Sequence, residues 1–163
     1  MPMNTPQDPR NRQWGPQHYD EHLGLKVPAL MWLTLAFLVR HLLLLGITFM
    51  PTTGAEITVL RDLIRPEYVI ADLIALPVLV VAVRRRPQAP EWMRKLWPAG
   101  RALLTLSTLV YLALLGRTLL GSERRLMETV NEATLISILL SVAVLLYLWR
   151  SVLVRDLFRD FPV

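Results

Sequence analysis

Residues 27–50 read VPALMWLTLAFLVRHLLLLGITFM, a run long and apolar enough to cross a bilayer that nevertheless carries adjacent Arg40 and His41 near its middle. Twelve of residues 29–50 are Leu, Ile, Val or Phe. Each of these contributes about −0.3 to −0.6 kcal/mol on the membrane-insertion scale, against about +2.5 to +3.5 for a central arginine. The apolar sum wins, so the run reads as a membrane span. Its two polar residues then need an explanation inside the protein.

The rest of the chain has the same character. Of 163 residues, 53% are hydrophobic, and the mean hydropathy is +0.40 because the apolar residues are gathered into long blocks. That is the profile of an integral membrane protein. A window of about 19 residues gives four spans, at about 27–50, 66–83, 97–120 and 133–153. The predicted fold is therefore all-α, a polytopic four-transmembrane-helix bundle. Pro66 suits the first turn of the second helix, where its missing N–H costs nothing. Residues 1–26 are polar and punctuated by Pro2, Pro6, Pro9 and Pro16, which predicts a largely disordered tail. The first apolar block begins at Val27 with no small-residue cleavage site after it, and reads as a retained span. In the closing stretch VLVRDLFRDF, Leu153, Val154, Leu157, Phe158 and Phe161 recur at helical spacing opposite Arg155, Asp156, Arg159 and Asp160. Residues 154–163 are thus expected as an amphipathic extension lying along the membrane surface.

Basic residues set the orientation. Arg10, Arg12, Lys26, Arg84, Arg85, Arg86, Arg94, Lys95, Arg101, Arg150, Arg155 and Arg159 fall on one side of the four spans, and Arg61, Arg65, Arg117, Arg124 and Arg125 on the other. Twelve against five places both termini in the cytoplasm by the positive-inside rule. A net charge of +5 and a pI near 10.2 raise the question of nucleic acid. The basic residues sit at the ends of apolar blocks, however, so anionic lipid headgroups are the expected counterions and nucleic acid is not a partner. Trp32, Trp92, Trp97 and Trp149 read as anchors at the membrane interface, as do Arg101 and Arg117, whose stems can reach headgroups from the ends of the third span.

Depth counting offers Arg40 a partner. It lies 14 residues beyond Lys26, about 21 Å at 1.5 Å per residue, and Asp72 lies 12 residues before Arg84, about 18 Å by the same rise. The two meet at matching depth on sequential antiparallel helices, which predicts an Arg40–Asp72 ion pair. Such a pair acts either as a clamp between the first two spans or as part of a polar path. The scarcity of other polar groups in the spans favours the clamp. His41, turned about 100° from Arg40, is expected to bond to a neighbouring helix. In the fourth span Ala133, Ser137 and Ser141 recur every four residues, a small-residue stripe that lets another helix approach, from the same chain or a second protein.

Catalytic and cofactor patterns are missing. The sequence has no cysteine, no glycine-rich phosphate loop, no HExxH and no serine placed with a histidine and an acid. No metal or cofactor is expected. Bis-histidine haem ligation needs a second membrane histidine, and His18 and His22, spaced i, i+4, lie in the tail.

The ordered set Tyr19-Asp20, Leu23 to Lys26, Val27-Pro28, Trp32, Arg40, Arg65-Pro66-Glu67-Tyr68, Leu76-Pro77, Arg84-Arg85-Arg86 and Arg155 to Pro162 resembles the YfeZ-like inner-membrane proteins of proteobacteria. These form a family with a domain of unknown function. The resemblance covers about residues 19–162 and implies a small multi-pass inner-membrane protein without assigned activity. Taken together, the expectation is a non-enzymatic accessory, assembly or scaffold component of a larger membrane complex, with a protein partner or a second copy in the membrane. The alternative is a small oligomeric transporter or ion-conducting protein using Arg40, His41 and Asp72.

Overall fold

The structure, a computed structural model, describes His18 and residues 25–48, 66–121 and 132–161. Most of the expected tail and both loops on the less basic side lie outside the described residues. Every regular element among them is helical: α1 Ala29–Leu38, α2 Arg40–Thr48, α3 Pro66–Val83, α4 Glu91–Leu96, α5 Gly100–Gly121, α6 Glu132–Arg150 and α7 Val152–Leu157. A 3-10 turn, Trp97–Ala99, joins α4 to α5 and accommodates Pro98 near its start.

Among the described residues, two helices are long and apolar enough to cross a membrane, Glu91–Leu120 and Glu132–Arg150. A third is obtained if α1 and α2 count as one span bent by 66°. Four spans are expected from the sequence, and the described residues hold two or three helices of that kind, for two physical reasons. The first apolar run breaks at Val39 into two short helices. The second, α3, has 18 residues, about 27 Å at 1.5 Å per residue against a hydrocarbon thickness of about 30 Å. The third expected span starts earlier than predicted, at Glu91, and the fourth ends at Arg150.

The central element is α3, which packs against α1, α2, α4 and α5. Ala71, Asp72, Ala75, Val78, Val81 and Ala82 are all buried along it. The two long helices are peripheral. Only 28% of the most apolar window of the first, and 11% of the second, is buried inside the protein, so Leu106, Leu109, Leu135, Ile136, Leu139 and Leu146 face outward. Such an apolar exterior is compatible with a membrane protein.

At one end of the bundle the chain is stitched together by Arg85. Its guanidinium donates to the carbonyls of Leu25 and, at 2.6 Å, Asp160, and lies 3.6 Å from the Asp160 carboxylate. Asp160 in turn accepts the Leu25 N–H at 2.7 Å. The segment entering α1, the α3–α4 connection and the C-terminal helix therefore meet at the same end. Two expectations change here. Ser151 breaks the fourth helix and caps α7, accepting the Val154 N–H at 3.3 Å, and the apolar side chains Val154, Leu157 and Phe158 are buried in the protein core instead of facing lipid. Trp97, expected at the membrane interface, is 1% exposed; its indole N–H donates to the Leu157 carbonyl at 2.7 Å, and its ring packs 4.8 Å from Phe158. Trp97 is thus the pin that holds α7 under the bundle.

Candidate functional site

A helix end leaves four N–H or four C=O groups without intrahelical partners. The break at Val39 creates both kinds of end inside the bundle, with neither glycine nor proline to mark it. Val39, at φ −104° and ψ 16°, is the residue before α2 and has no side-chain oxygen with which to cap it. The missing acceptor comes from across the interface: the Asp72 carboxylate on α3 accepts the Leu42 N–H at 2.9 Å. Leu42 is the third residue of α2, the position an N-cap side chain normally serves. A carboxylate at this end also complements the positive pole of the helix dipole.

The other side of the break is served by Arg40. Its guanidinium donates to the Phe37 carbonyl at 2.8 Å, one of the C=O groups left open at the end of α1, where a cation complements the negative pole. The same group lies 4.1 Å from the Phe37 ring centroid and 4.4 Å from that of Tyr111, in cation–π contact with both. Its Nη2 is buried with no hydrogen-bond partner among the described residues, so the ring faces supply its main compensation.

The predicted Arg40–Asp72 ion pair is therefore corrected. Asp72 pairs with His41 instead, Nδ1 to Oδ1 at 3.2 Å, with the Nδ1–H donating to the carboxylate. Asp72 meets the residue next to Arg40 in the chain, because the helix breaks at Val39 and His41 is the side chain that reaches α3. His41 is 7% exposed and Asp72 2%. Around the imidazole stand Tyr68 and Tyr111, with ring centroids at 5.3 and 5.7 Å and the two tyrosines 5.3 Å from each other. Next to Asp72, the Ala71 carbonyl accepts the Ser107 hydroxyl of α5 at 2.8 Å, fixing the two helices in register.

On one side the cluster adjoins a cleft of roughly 160 Å³ between α3, α5 and α6, lined by Tyr68, Tyr111, Leu115, Thr118, Leu119, Ala133, Thr134 and Ser137. On the other, the next turns of α3 carry Ala75 and Val78 into an apolar core with Leu38, Val39 and Leu104. The buried hydroxyls of Thr34 and Thr108 are bonded to the Leu30 and Leu104 carbonyls of their own helices. Among the described residues, then, the buried His41–Asp72 pair lies between two tyrosines that line the cleft on one side and apolar side chains on the other. Among these residues, no three or more His, Cys, Asp or Glu come together placed to hold a metal ion.

The remaining expected residues are placed as follows. The stripe faces α5: Ser141 is fully buried and bonds to the Ser137 carbonyl at 2.7 Å, while Ala133 and Ser137 line the cleft. Trp32, Trp92 and Trp149 are exposed, and Arg101 stacks 4.4 Å over the Trp149 ring, joining α5 to α6. Arg117 is exposed near the far end of α5. His22 lies outside the described residues. Sequence reasoning missed Tyr68 and Tyr111 as members of the site; their signal was a pair of hydroxyl-bearing aromatics in apolar helices. It also missed Arg85, which is indistinguishable by composition from Arg84 and Arg86 beside it.

Over the described residues, fold and site together define a helical protein with two or three helices long and apolar enough to cross a membrane and a charge-capped helix break among them. The chain belongs to the family described as "Protein of unknown function (DUF2919)", whose model matches residues 14–160. No curated protein and no solved structure matches it.

Proposed function

We propose that this chain is a non-enzymatic, multi-pass protein of the YfeZ-like kind in the bacterial inner membrane, serving as an accessory or scaffold component of a larger membrane complex. In this reading α3 is the fourth membrane helix, short because it is enclosed by the others, and both termini are cytoplasmic. The observation that carries it is how the charged residues are used. Arg40, His41 and Asp72 are engaged in closing the two ends of one helix break, which makes them a clamp between α1, α2 and α3. Support also comes from α6, which leaves most of its apolar length facing outward and available to lipid or to a partner helix.

Purification from native membranes in mild detergent tests the reading. A scaffold is expected to bring down a defined membrane protein in fixed ratio, and recovery of the chain alone counts against it. Reporter fusions after Thr53 and after Gln88 test the topology, with Gln88 expected on the cytoplasmic side.

A second reading, a small transporter or ion-conducting protein, draws on one observation: the buried His41–Asp72 pair lies beside the Tyr68–Tyr111 cleft. Intramembrane ionisable groups next to water-accessible space commonly mark ion pathways. The reading requires a second, opposite opening through Ala75, Val78 and Leu104.

A further inference from the structure

The turn between α3 and α4 holds a second cavity, of about 450 Å³, lined by Val83, Arg84, Arg86, Gln88, Ala89, Pro90 and Met93. Three consecutive arginines enter this turn, and the structure divides them. Arg85 points into the body, where it bonds to Leu25 and Asp160. Arg84 and Arg86 are exposed, line the cavity, and have no ion-pair or side-chain hydrogen-bond partner among the described residues. The nearest acid along the chain, Glu91, is occupied by Lys95 at 2.9 Å.

The cavity wall is fixed in place. The Ala89 N–H donates to the Arg86 carbonyl at 3.0 Å, the Met93 N–H to the Pro90 carbonyl at 3.0 Å, and the Arg94 guanidinium to the Pro87 carbonyl. Val83 and Met93 supply an apolar side, and exposed Trp92 stands next to Met93 where the first long apolar helix begins. Two unneutralised guanidiniums on a rigid turn, against an apolar wall at the end of apolar helices, match an anion that carries both a phosphate and hydrocarbon. Guanidinium forks bind phosphate oxygens bidentately, which distinguishes them from lysine point charges.

We propose that this cavity is a headgroup site for an anionic glycerophospholipid, with Arg84 and Arg86 on the phosphate and Val83 and Met93 against the first atoms of the glycerol and acyl region. The inference rests on the membrane reading and adds a defined lipid site to the diffuse attraction that any basic surface has for a bilayer. Excess arginine at a helix end also serves orientation alone, which requires charge but neither a cavity nor a guanidinium fork.

The test uses the full chain in detergent and native mass spectrometry with added phosphatidylglycerol or phosphatidylcholine. Phosphatidylglycerol is expected to remain bound and phosphatidylcholine to be lost. Arg84→Gln with Arg86→Gln should weaken phosphatidylglycerol retention by roughly tenfold or more, the loss of a charge-assisted fork. Arg155→Gln with Arg159→Gln removes the same charge from exposed positions outside the cavity and should change retention less than about twofold. Arg84→Lys with Arg86→Lys keeps the charge and should retain the lipid less well than wild type. Equal loss from the two Gln pairs, or no preference for phosphatidylglycerol, overturns the site. So does full occupancy by glycerol phosphate in place of lipid, which would make the ligand a soluble anion. Carbonate extraction of native membranes, run alongside, separates the outcomes: release of the chain defeats the membrane reading itself, whereas a retained chain without lipid preference defeats only the site.

Discussion

Replacing Asp72 by alanine removes the acceptor for two donors at once, the Leu42 N–H at 2.9 Å and the His41 Nδ1–H at 3.2 Å. The site is 2% exposed, so water does not take over either bond. Each donor left unpaired in a buried site costs about 1–3 kcal/mol. With loss of the favourable carboxylate at the α2 N-terminus, Asp72→Ala is expected to destabilise by about 3–5 kcal/mol. Asp72→Asn keeps one carbonyl oxygen for Leu42 and should lose only about 1–2 kcal/mol. The assay is unfolding of the purified chain by SDS titration in mixed micelles, followed by far-ultraviolet circular dichroism. Double-mutant cycles then separate the partners: His41→Ala with Asp72→Ala should show a coupling of about 1–3 kcal/mol, larger than that of Arg40→Ala with Asp72→Ala. Additive His41 and Asp72 losses, with the stronger coupling at Arg40, would refute the capped-break geometry.

Three other substitutions probe the frame that holds the site. Gly100→Ala places a Cβ into the Phe158 ring, 2.9 Å from its Cδ1 and 3.3 Å from Val78 Cγ1, and should cost about 1–3 kcal/mol by the same titration, with Phe158→Leu in the same chain recovering part of the loss. Arg85→Ala unties the N-terminal segment from the C-terminal helix and should lower stability by about 2–4 kcal/mol and speed proteolysis at the C-terminus, while Arg84→Ala, in the same basic run, stays within about 0.5 kcal/mol. Ser141→Leu forces a large side chain into a fully buried contact between α5 and α6 and should cost about 1–3 kcal/mol, read as a lower SDS midpoint, whereas Leu139→Ala on the exposed face of α6 leaves it nearly unchanged.

Periodicity and hydropathy made the helical class and the approximate helix positions legible in the sequence, and pointed to Asp72 as a partner for the first apolar run. They did not reveal the break at Val39, because the surrounding LVRHL has neither glycine nor proline, the residues that usually announce one. Once that break exists, counting along a continuous helix assigns the wrong neighbour, and Asp72 receives His41 in place of Arg40. The C-terminal helix shows a different limit. Its amphipathic pattern is real, yet a pattern specifies only that one face is buried, and here the burying surface is Trp97 and the bundle core. Arg85 was hidden for a third reason: composition cannot separate three adjacent arginines, one tied inward and two lining a cavity.

The claim that Arg40, His41 and Asp72 serve the helix break, and not transport, is tested most directly by proton flux into proteoliposomes under an imposed pH gradient. Clamping predicts that wild type and Asp72→Asn both leak at the rate of protein-free vesicles. A wild-type flux well above that rate, abolished in an Asp72→Asn protein that remains folded, would contradict it.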